Sequence, residues 1–521
     1  MPVKAFLTKP TRRWHVIGIA AGVLLLVLGF AAIKLVHAWP FTRSAMLSAL
    51  ETFSARPVKI QQFRMTFFPP GCEVEGIEFE HHRRRDLPPL VTVQKLTIRG
   101  SYSGLLGIRK HLAEIVASGG HILVPPKAPD GERPVIFPLT LSKQARFDLD
   151  SFVGHDVVVE FRSAEAGKEP YVIKIEQVKV QHIEGKPALS FQASFATSKP
   201  VSQVHSQGEF GPWDPKSPGS AHVKGIYRLE KADLGVYGGI TGTLGSTGTF
   251  NGTLARITVD GTAQVPDFRV THSSHTVSVT SEVHGTVDAR SGDTQLDPII
   301  AHFLKTTVTS RGGILGNEKV PGKNTDLELA VDEGRVEDLL LLFIKAPVAP
   351  MTGVVNLRGS AKLPPGSQPF LHKLAMEGNF GIGAAQFKNP KAQQPIDKLS
   401  KSSRGESHEQ EKVDPRIVLS ELRGQVTLKN AIANFGRLTF RADGSDATLT
   451  GTFNLISQEV DLHGTLATTG KLSELTSGMK SLLVKIITPF FKKKQGARIV
   501  HFKITGTYGN PVVGLDLGGK N

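Results

Sequence analysis

Residues 249–268 read TFNGTLARITVDGTAQVPDF, and this stretch decides the fold class. It holds two Gly-Thr dipeptides, at Gly252 and Gly261, set among short runs in which apolar and polar residues alternate. The same dipeptide recurs at Gly242, Gly248, Gly285, Gly451, Gly464 and Gly506. Glycine supplies the φ values that turns need, and β-branched threonine favours a strand, so the pattern predicts the punctuation of a long antiparallel meander. Outward from it, Val277-Ser-Val279 continues through Val283 and Val287, and Val157–Phe161 and Val172–Ile175 are similar alternating runs. The dipeptides fall at irregular intervals, so no strict repeat is expected.

The chain has 521 residues, 53 of them glycine and 32 proline, enough for three to five units or one long repetitive body. Its single cysteine, Cys72, excludes an intramolecular disulfide and any multi-cysteine metal centre. A hydrophobic share of 40% against 21% charged residues excludes global disorder. The net charge of +15 is spread along the chain without an aromatic-interleaved basic module, so nucleic acid is not an expected partner.

From Val16 to Ile33 the chain reads VIGIAAGVLLLVLGFAAI, with no charge. As a helix this covers about 27 Å, close to a bilayer's hydrocarbon core. Trp14 and Trp39 flank it, and Lys4, Lys9, Arg12 and Arg13 precede it in a short tail that is expected to stay cytoplasmic. The expected order is a tail at 1–13 and a transmembrane helix at 14–37, the rest being exported. The alternative is a cleaved signal peptide, against which the length of the apolar run argues. Either way nearly the whole chain lies beyond the membrane.

Met46, Leu50 and Phe53 at i, i+4 and i+7 predict a short amphipathic helix over 41–56, closed by Pro57. Strands are expected at Val58–Phe68, Cys72–Glu80, Leu90–Arg99 and His121–Val124, with a helix at Leu105–Ser118. A second helix is expected at Arg335–Lys345, its first-turn acids and terminal lysine matching the helix dipole. A third, amphipathic one is expected at 472–488, ahead of Pro489 and a possible membrane-contact tip, Phe490, Phe491, Lys492, Lys493 and Lys494. That helix either lies in a membrane interface or packs across the end of the sheet. The polar stretch 388–415 reads as an exposed loop.

These features, in this order, resemble the AsmA family of inner-membrane-anchored envelope proteins, related to the TamB-like proteins. The likeness is carried by TFFPPGCEVEGIEF (Thr66–Phe79), LTIRGSYSGLLG (Leu96–Gly107), GGHILVPP (Gly119–Pro126) and the opening stretch. It is carried also by ATTGKLSELTSGMKSLL (Ala467–Leu483) and HFKITGTYGNPVVGLDL (His501–Leu517). The resemblance implies a periplasmic body on one inner-membrane helix, serving outer-membrane biogenesis and phospholipid movement with no catalytic residue or cofactor. The expected divisions are an N-terminal α/β segment at 41–125, a groove body at 147–385, a polar loop at 386–413 and a C-terminal region at 414–521.

The expected fold is therefore mainly β with a few helices: a long curled antiparallel sheet after the anchor, forming an apolar groove. An apolar strip of about 1000 Å² left in water costs roughly 25 kcal/mol, so it must be covered or filled. Acyl chains are the expected filling, and Val279, Val283 and Val287 are the inward positions taken as examples. The alternative is a non-catalytic scaffold for outer-membrane proteins or envelope machinery, recruiting partners by strand addition. No nucleophile elbow, P-loop or His-Glu-x-x-His motif occurs, so no enzyme activity is expected. Cys72 beside Gly71 reads as a small packed residue, and His81–Arg85 as a solvated loop or an anionic-lipid contact rather than a metal site.

Overall fold

The computed structural model describes residues 41–468 and 498–516, apart from 55, 81–87, 104–109, 125–146, 163–166, 168, 182–187, 213–216, 290, 317–321, 346, 350, 388–419, 443–444 and 508–509. The anchor stretch 14–37, the segment His81–Arg85, the loop 388–415, the helix at 472–488 and the tip Phe490–Lys494 lie outside the described residues. Among the described residues no helix is long and apolar enough to cross a membrane. The chain divides into two compact units, Met1–Lys168 and Glu169–Asn521.

In the first unit, helix α1 (Arg43–Ser54) precedes β1 (Val58–Thr66), β2 (Gly71–Phe79), β3 (Val91–Gly100), β4 (Lys110–Val124) and β5 (Phe147–Phe161). The first four strands pair antiparallel in sequence order. Met46 of α1, with Leu47 and Leu50, packs on Val58, Ile60, Cys72, Val74, Ile77, Phe79 and Ile98. The periodicity read from the sequence is thus the face that α1 buries.

Two expectations are corrected here. The helix expected at Leu105–Ser118 is absent where it is described: Lys110–Ser118 belongs to strand β4. Ile115 and Val116 pair there with Ile98 and Thr97 of β3. Strand neighbours on both sides override the local helical spacing, and β-branched residues suit that environment. The sheet is also not wholly antiparallel, because β4 and β5 run parallel, from Lys110 opposite Phe147 to Val124 opposite Phe161.

The second unit opens with β6 (Tyr171–Gln181), β7 (Leu189–Ser198), β8 (Val201–Phe210), β9 (His222–Asp233), the short β10 (Ile240–Thr241) and β11 (Thr243–Thr253). It continues with β12 (Arg256–Val270), β13 (Val277–Val287), β14 (Thr294–Phe303), β15 (Thr306–Gly316) and β16 (Lys323–Arg335). Helix α2 (Val336–Leu341), β17 (Met351–Leu363), helix α3 (Phe370–Lys373) and β18 (Ala375–Phe387) follow. The last strands are β19 (Ser420–Lys429), β20 (Ile432–Ala442), β21 (Ser445–Asn454), β22 (Glu459–Thr468), β23 (Arg498–Thr507) and β24 (Asn510–Leu515). Apart from β10, which pairs with the end of β12, each strand pairs antiparallel with its neighbours in sequence. The rule holds unbroken from β12 to β24. Register slips at Val265/Phe268, Leu296/Ile299 and Val331/Gly334 insert bulges, which sharpen the coiling of a twisted sheet.

The Gly-Thr dipeptides are mostly not turns, which corrects the third expectation. Gly248, Gly261, Gly285, Gly451, Gly464 and Gly506 stand inside strands. Each occupies the face that carries the apolar side chains, with its threonine on the opposite face. A Cβ added to Gly248 would come 2.3 Å from the carbonyl oxygen of Asp260, and one on Gly312 would come 2.1 Å from that of Asp326. The backbones therefore crease closely at these points, as glycine kinks do where a sheet must bend.

Candidate functional site: an apolar sheet face

The register of the second unit sorts its side chains into two faces. On β7, Leu189, Phe191, Ala193 and Phe195 share one face, opposite Phe210, Gly208, Ser206 and Val204 of β8. The row continues through Gly225, Tyr227 and Leu229 of β9 to Phe250, Gly248 and Ser246 of β11. It passes to Val259, Gly261 and Ala263 of β12 and to Gly285, Val283 and Ser281 of β13. Far along the sheet the same face carries Leu449 and Gly451 of β21, Gly464 and Leu462 of β22, and Phe502 and Ile504 of β23. Outside the bulges, the described strands of this unit place a charged residue on this face only at two strand starts, Lys323 of β16 and Arg498 of β23. The opposite face carries cross-strand ion pairs such as Lys224 with Glu209 at 3.1 Å and Lys362 with Asp326 at 3.6 Å.

Alternation alone explains the sorting. With a period of two, a single strand has one wet and one dry side, and antiparallel pairing keeps like sides together. Val279, Val283 and Val287 all fall on the dry side, opposite Phe303, Ile299 and Thr294 of β14.

Rings lie over the glycines of neighbouring strands. A Cβ on Gly261 would meet the Tyr227 hydroxyl at 2.7 Å, and one on Gly424 would meet the Phe380 ring at 3.0 Å. The face is a lining of aromatic and aliphatic groups that shade one another. Along β6–β9 and β11 they stay half-buried, as Ile173, Phe191, Phe195, Val204, Leu229 and Phe250 show.

Farther along, the chain partly covers this face itself. Val336, Leu339 and Leu340 of α2 pack on Val331, Val355, Ile382 and Leu422. Leu371 of α3 packs with Val270, Leu374, Leu428, Ala433 and Leu455. The connection after α2 is tied back by Ser273, whose hydroxyl donates to the Leu341 carbonyl at 2.9 Å, and by Ser274, which donates to that of Lys345 at 2.7 Å. The expectation of a wall free of the protein's own chain thus fails along β16–β20, where α2 and α3 pack on it.

Two broad clefts lie on the polar face. One, of about 730 Å³, has Arg311, Glu328, Arg358, Ser360, Glu377 and Gln425 among its walls. The other, of about 450 Å³, has Lys179, Gln192, His205, Gln207 and Arg228. A strongly twisted sheet is saddle-shaped, so each face is concave along one diagonal.

Cys72 is fully buried in the first unit, and burial pushes its thiol up to about 12, so it is no nucleophile. No cluster of three or more His, Cys, Asp or Glu able to hold a metal occurs among the described residues. What the described strands of the second unit offer is a long, largely apolar sheet face. The signal that could have found its creases was present: glycines at strand-interior, apolar-parity positions. No protein-family model, curated protein or solved structure matches this chain.

Proposed function

We propose that the protein carries the acyl chains of phospholipid along the apolar face of its second unit, while Val16–Ile33 anchors it in the inner membrane and its body stands in the periplasm. One observation carries this reading: across β6–β9 and β11–β24 the register keeps one apolar face whose strand interiors, outside the bulges, carry no charged side chain, charge entering only at the strand starts Lys323 and Arg498. At about 4.8 Å per strand the face is on the order of 85 Å along its contour. A sixteen-carbon chain gains roughly 13 kcal/mol by leaving water, so lipid and protein relieve each other's exposed apolar surface. Uniform, weak contacts suit sliding better than a deep pocket does. The order of motifs that resembles the AsmA family supports a role in envelope and outer-membrane biogenesis.

The test is mass spectrometry of organic extracts from purified full-length protein, together with a phospholipid-transfer assay between vesicles. Phospholipid recovered with the wild type, and lost in Val279→Asp or Val283→Asp at unchanged folding, is the expected result. Recovery of a defined protein partner without lipid, and transfer unaffected by these substitutions, would overturn the carrier reading in favour of an assembly scaffold.

A further inference from the structure

The turn joining β1 to β2 exposes aromatic side chains instead of burying them. Residues 65–70 read MTFFPP, and 101–103, just after β3, read SYS; neither stretch holds a charge. Phe68 is 89% exposed, Phe67 44%, Tyr102 38% and Met65 37%. The cluster is organised: the Tyr102 hydroxyl donates to the Phe67 carbonyl, and the Phe68 and Tyr102 rings stand 5.9 Å apart, tilted by 53°. An ordered, uncharged group of large apolar side chains at a sheet tip marks a contact surface.

Its position says what it contacts. Phe41, 1% exposed, is the first described residue after the apolar segment Val16–Ile33. Its ring and the Pro70 carbonyl oxygen both come within 4 Å of a Cβ placed on Gly100, at 3.3 and 3.6 Å. The Gly100 amide donates to that Pro70 carbonyl at 2.8 Å. Phe41 is therefore pinned at the base of the aromatic tip, two residues from Phe68 through Pro70 and two from Tyr102 through Gly100. Eight residue steps separate Phe41 from Ile33, a reach of at most about 28 Å. Trp39, an interface-seeking side chain, lies only two steps before Phe41.

We propose that Met65, Phe67, Phe68 and Tyr102 form a second membrane contact, inserting into the headgroup zone of the leaflet from which the chain emerges. The bilayer is the one occupant that the tether delivers to this tip. Phenylalanine enters the apolar margin and the tyrosine ring, with its hydroxyl already satisfied, sits at the polar boundary. Two contacts, a helix and a tip, fix the orientation of the first unit where one helix alone leaves it free to swivel. This rests on the anchor reading of Val16–Ile33.

The experiment uses the full chain reconstituted in vesicles of phosphatidylethanolamine with phosphatidylglycerol. Phe68→Cys, Lys59→Cys and Leu25→Cys are each labelled with an environment-sensitive fluorophore, the buried Cys72 staying unlabelled in the folded protein. Lys59 is an aqueous control, seven strand steps or roughly 23 Å from Thr66 along β1. The expected result is blue-shifted emission at position 68 that headgroup-proximal spin-labelled lipid largely quenches, with position 59 unquenched and open to aqueous iodide. Position 68 behaving like water while position 25 is quenched by lipid spin-labelled near its acyl-chain end would overturn the tip and leave the anchor standing. Quenching at 68 by the headgroup-proximal label, with position 25 unquenched even by lipid spin-labelled near its acyl-chain end, supports the tip while removing the anchor. Water-like behaviour at both overturns both, and equal quenching at 59 and 68 would overturn the tip as the specific contact.

Discussion

Phe250 lies across Gly225: a Cβ added to that glycine would stand 2.7 Å from the Phe250 Cζ and 2.2 Å from the Gln207 carbonyl oxygen. The aromatic ring occupies the place a side chain would take, and the glycine lets the neighbouring strands close up beneath it. Gly225→Val is therefore expected to destabilise the second unit by about 1–3 kcal/mol through overpacking against a backbone that cannot retreat. Gly436→Ala, where no atom lies within 4 Å of the added Cβ, is expected to change stability by less than about 0.5 kcal/mol. Urea denaturation of the two variants separates a crease that demands glycine from one that merely contains it.

Val283 and Glu282 are adjacent in sequence and lie on opposite faces of β13. Val283→Asp is expected to abolish phospholipid loading, because an isolated carboxylate on an apolar wall must either stay hydrated or be neutralised. Glu282→Lys, which changes charge on the wet face, is expected to leave loading as it is. Quantitative lipid mass spectrometry on both, with circular dichroism to confirm the fold, reads the contrast directly.

Asp338 of α2 is 5% exposed and accepts from the Lys305 amide at 2.9 Å and the Thr306 hydroxyl at 2.8 Å. Thr306 in turn accepts from the Arg335 amide at 2.9 Å. This network fixes α2 to the β14–β15 turn. Asp338→Ala takes the acceptor from the buried Thr306 hydroxyl and the part-buried Lys305 amide and is expected to cost about 1–3 kcal/mol. Asp338→Asn, which keeps an acceptor, is expected to recover part of that. Thermal melts of the two variants check the order.

His463 on β22 holds Asp516 at 2.8 Å through Nδ1 and Asp461 at 3.1 Å through Nε2. The Asp516 hydrogen bond, foremost, raises its pKa above the ordinary histidine value. A raised folded pKa means this contribution is fully present below the unfolded pKa, about 6.5, and fades as pH climbs through the folded value. The site is exposed, so the effect is small and screened by salt. The protection factor of the β24 amides, taken relative to their intrinsic base-catalysed exchange, is expected to fall as pH rises above about 6.5 at low ionic strength, and His463→Gln is expected to remove that fall.

Cys72 gives a fifth observable. With its thiol pushed up to about 12 and no exposed surface, it is expected to resist iodoacetamide at neutral pH and to react once urea unfolds the first unit. The labelling midpoint then reports the stability of the α1–β1–β2 core by itself. Rapid labelling of the folded chain would contradict the buried position.

Much of this was legible in the chain. Alternation named the strands, and the placement of Met46 and Leu50 named α1, because both patterns report burial directly. The parity of Val279, Val283 and Val287 was legible for the same reason. The glycines misled, since a residue tolerated in turns is equally suited to a crease, and only the strand partner distinguishes the two. Lys110–Ser118 misled because Leu112, Ile115 and Val116 fit a helix face until β3 and β5 are seen on either side. The partial cover supplied by α2 and α3 was illegible, because Ser273 and Leu341 meet across 68 residues of chain.

The unbroken neighbour-to-neighbour order of the meander has one more consequence. Each strand answers only to the two beside it, so the cross-section of the wall is set locally while its reach is set by how many hairpins are strung together. Inserting or deleting a hairpin would lengthen or shorten the molecule like links in a chain rule, by about 10 Å a step, without redesigning the profile of the surface. Length and surface chemistry are thereby separate variables, and a lineage could change one while leaving the other untouched.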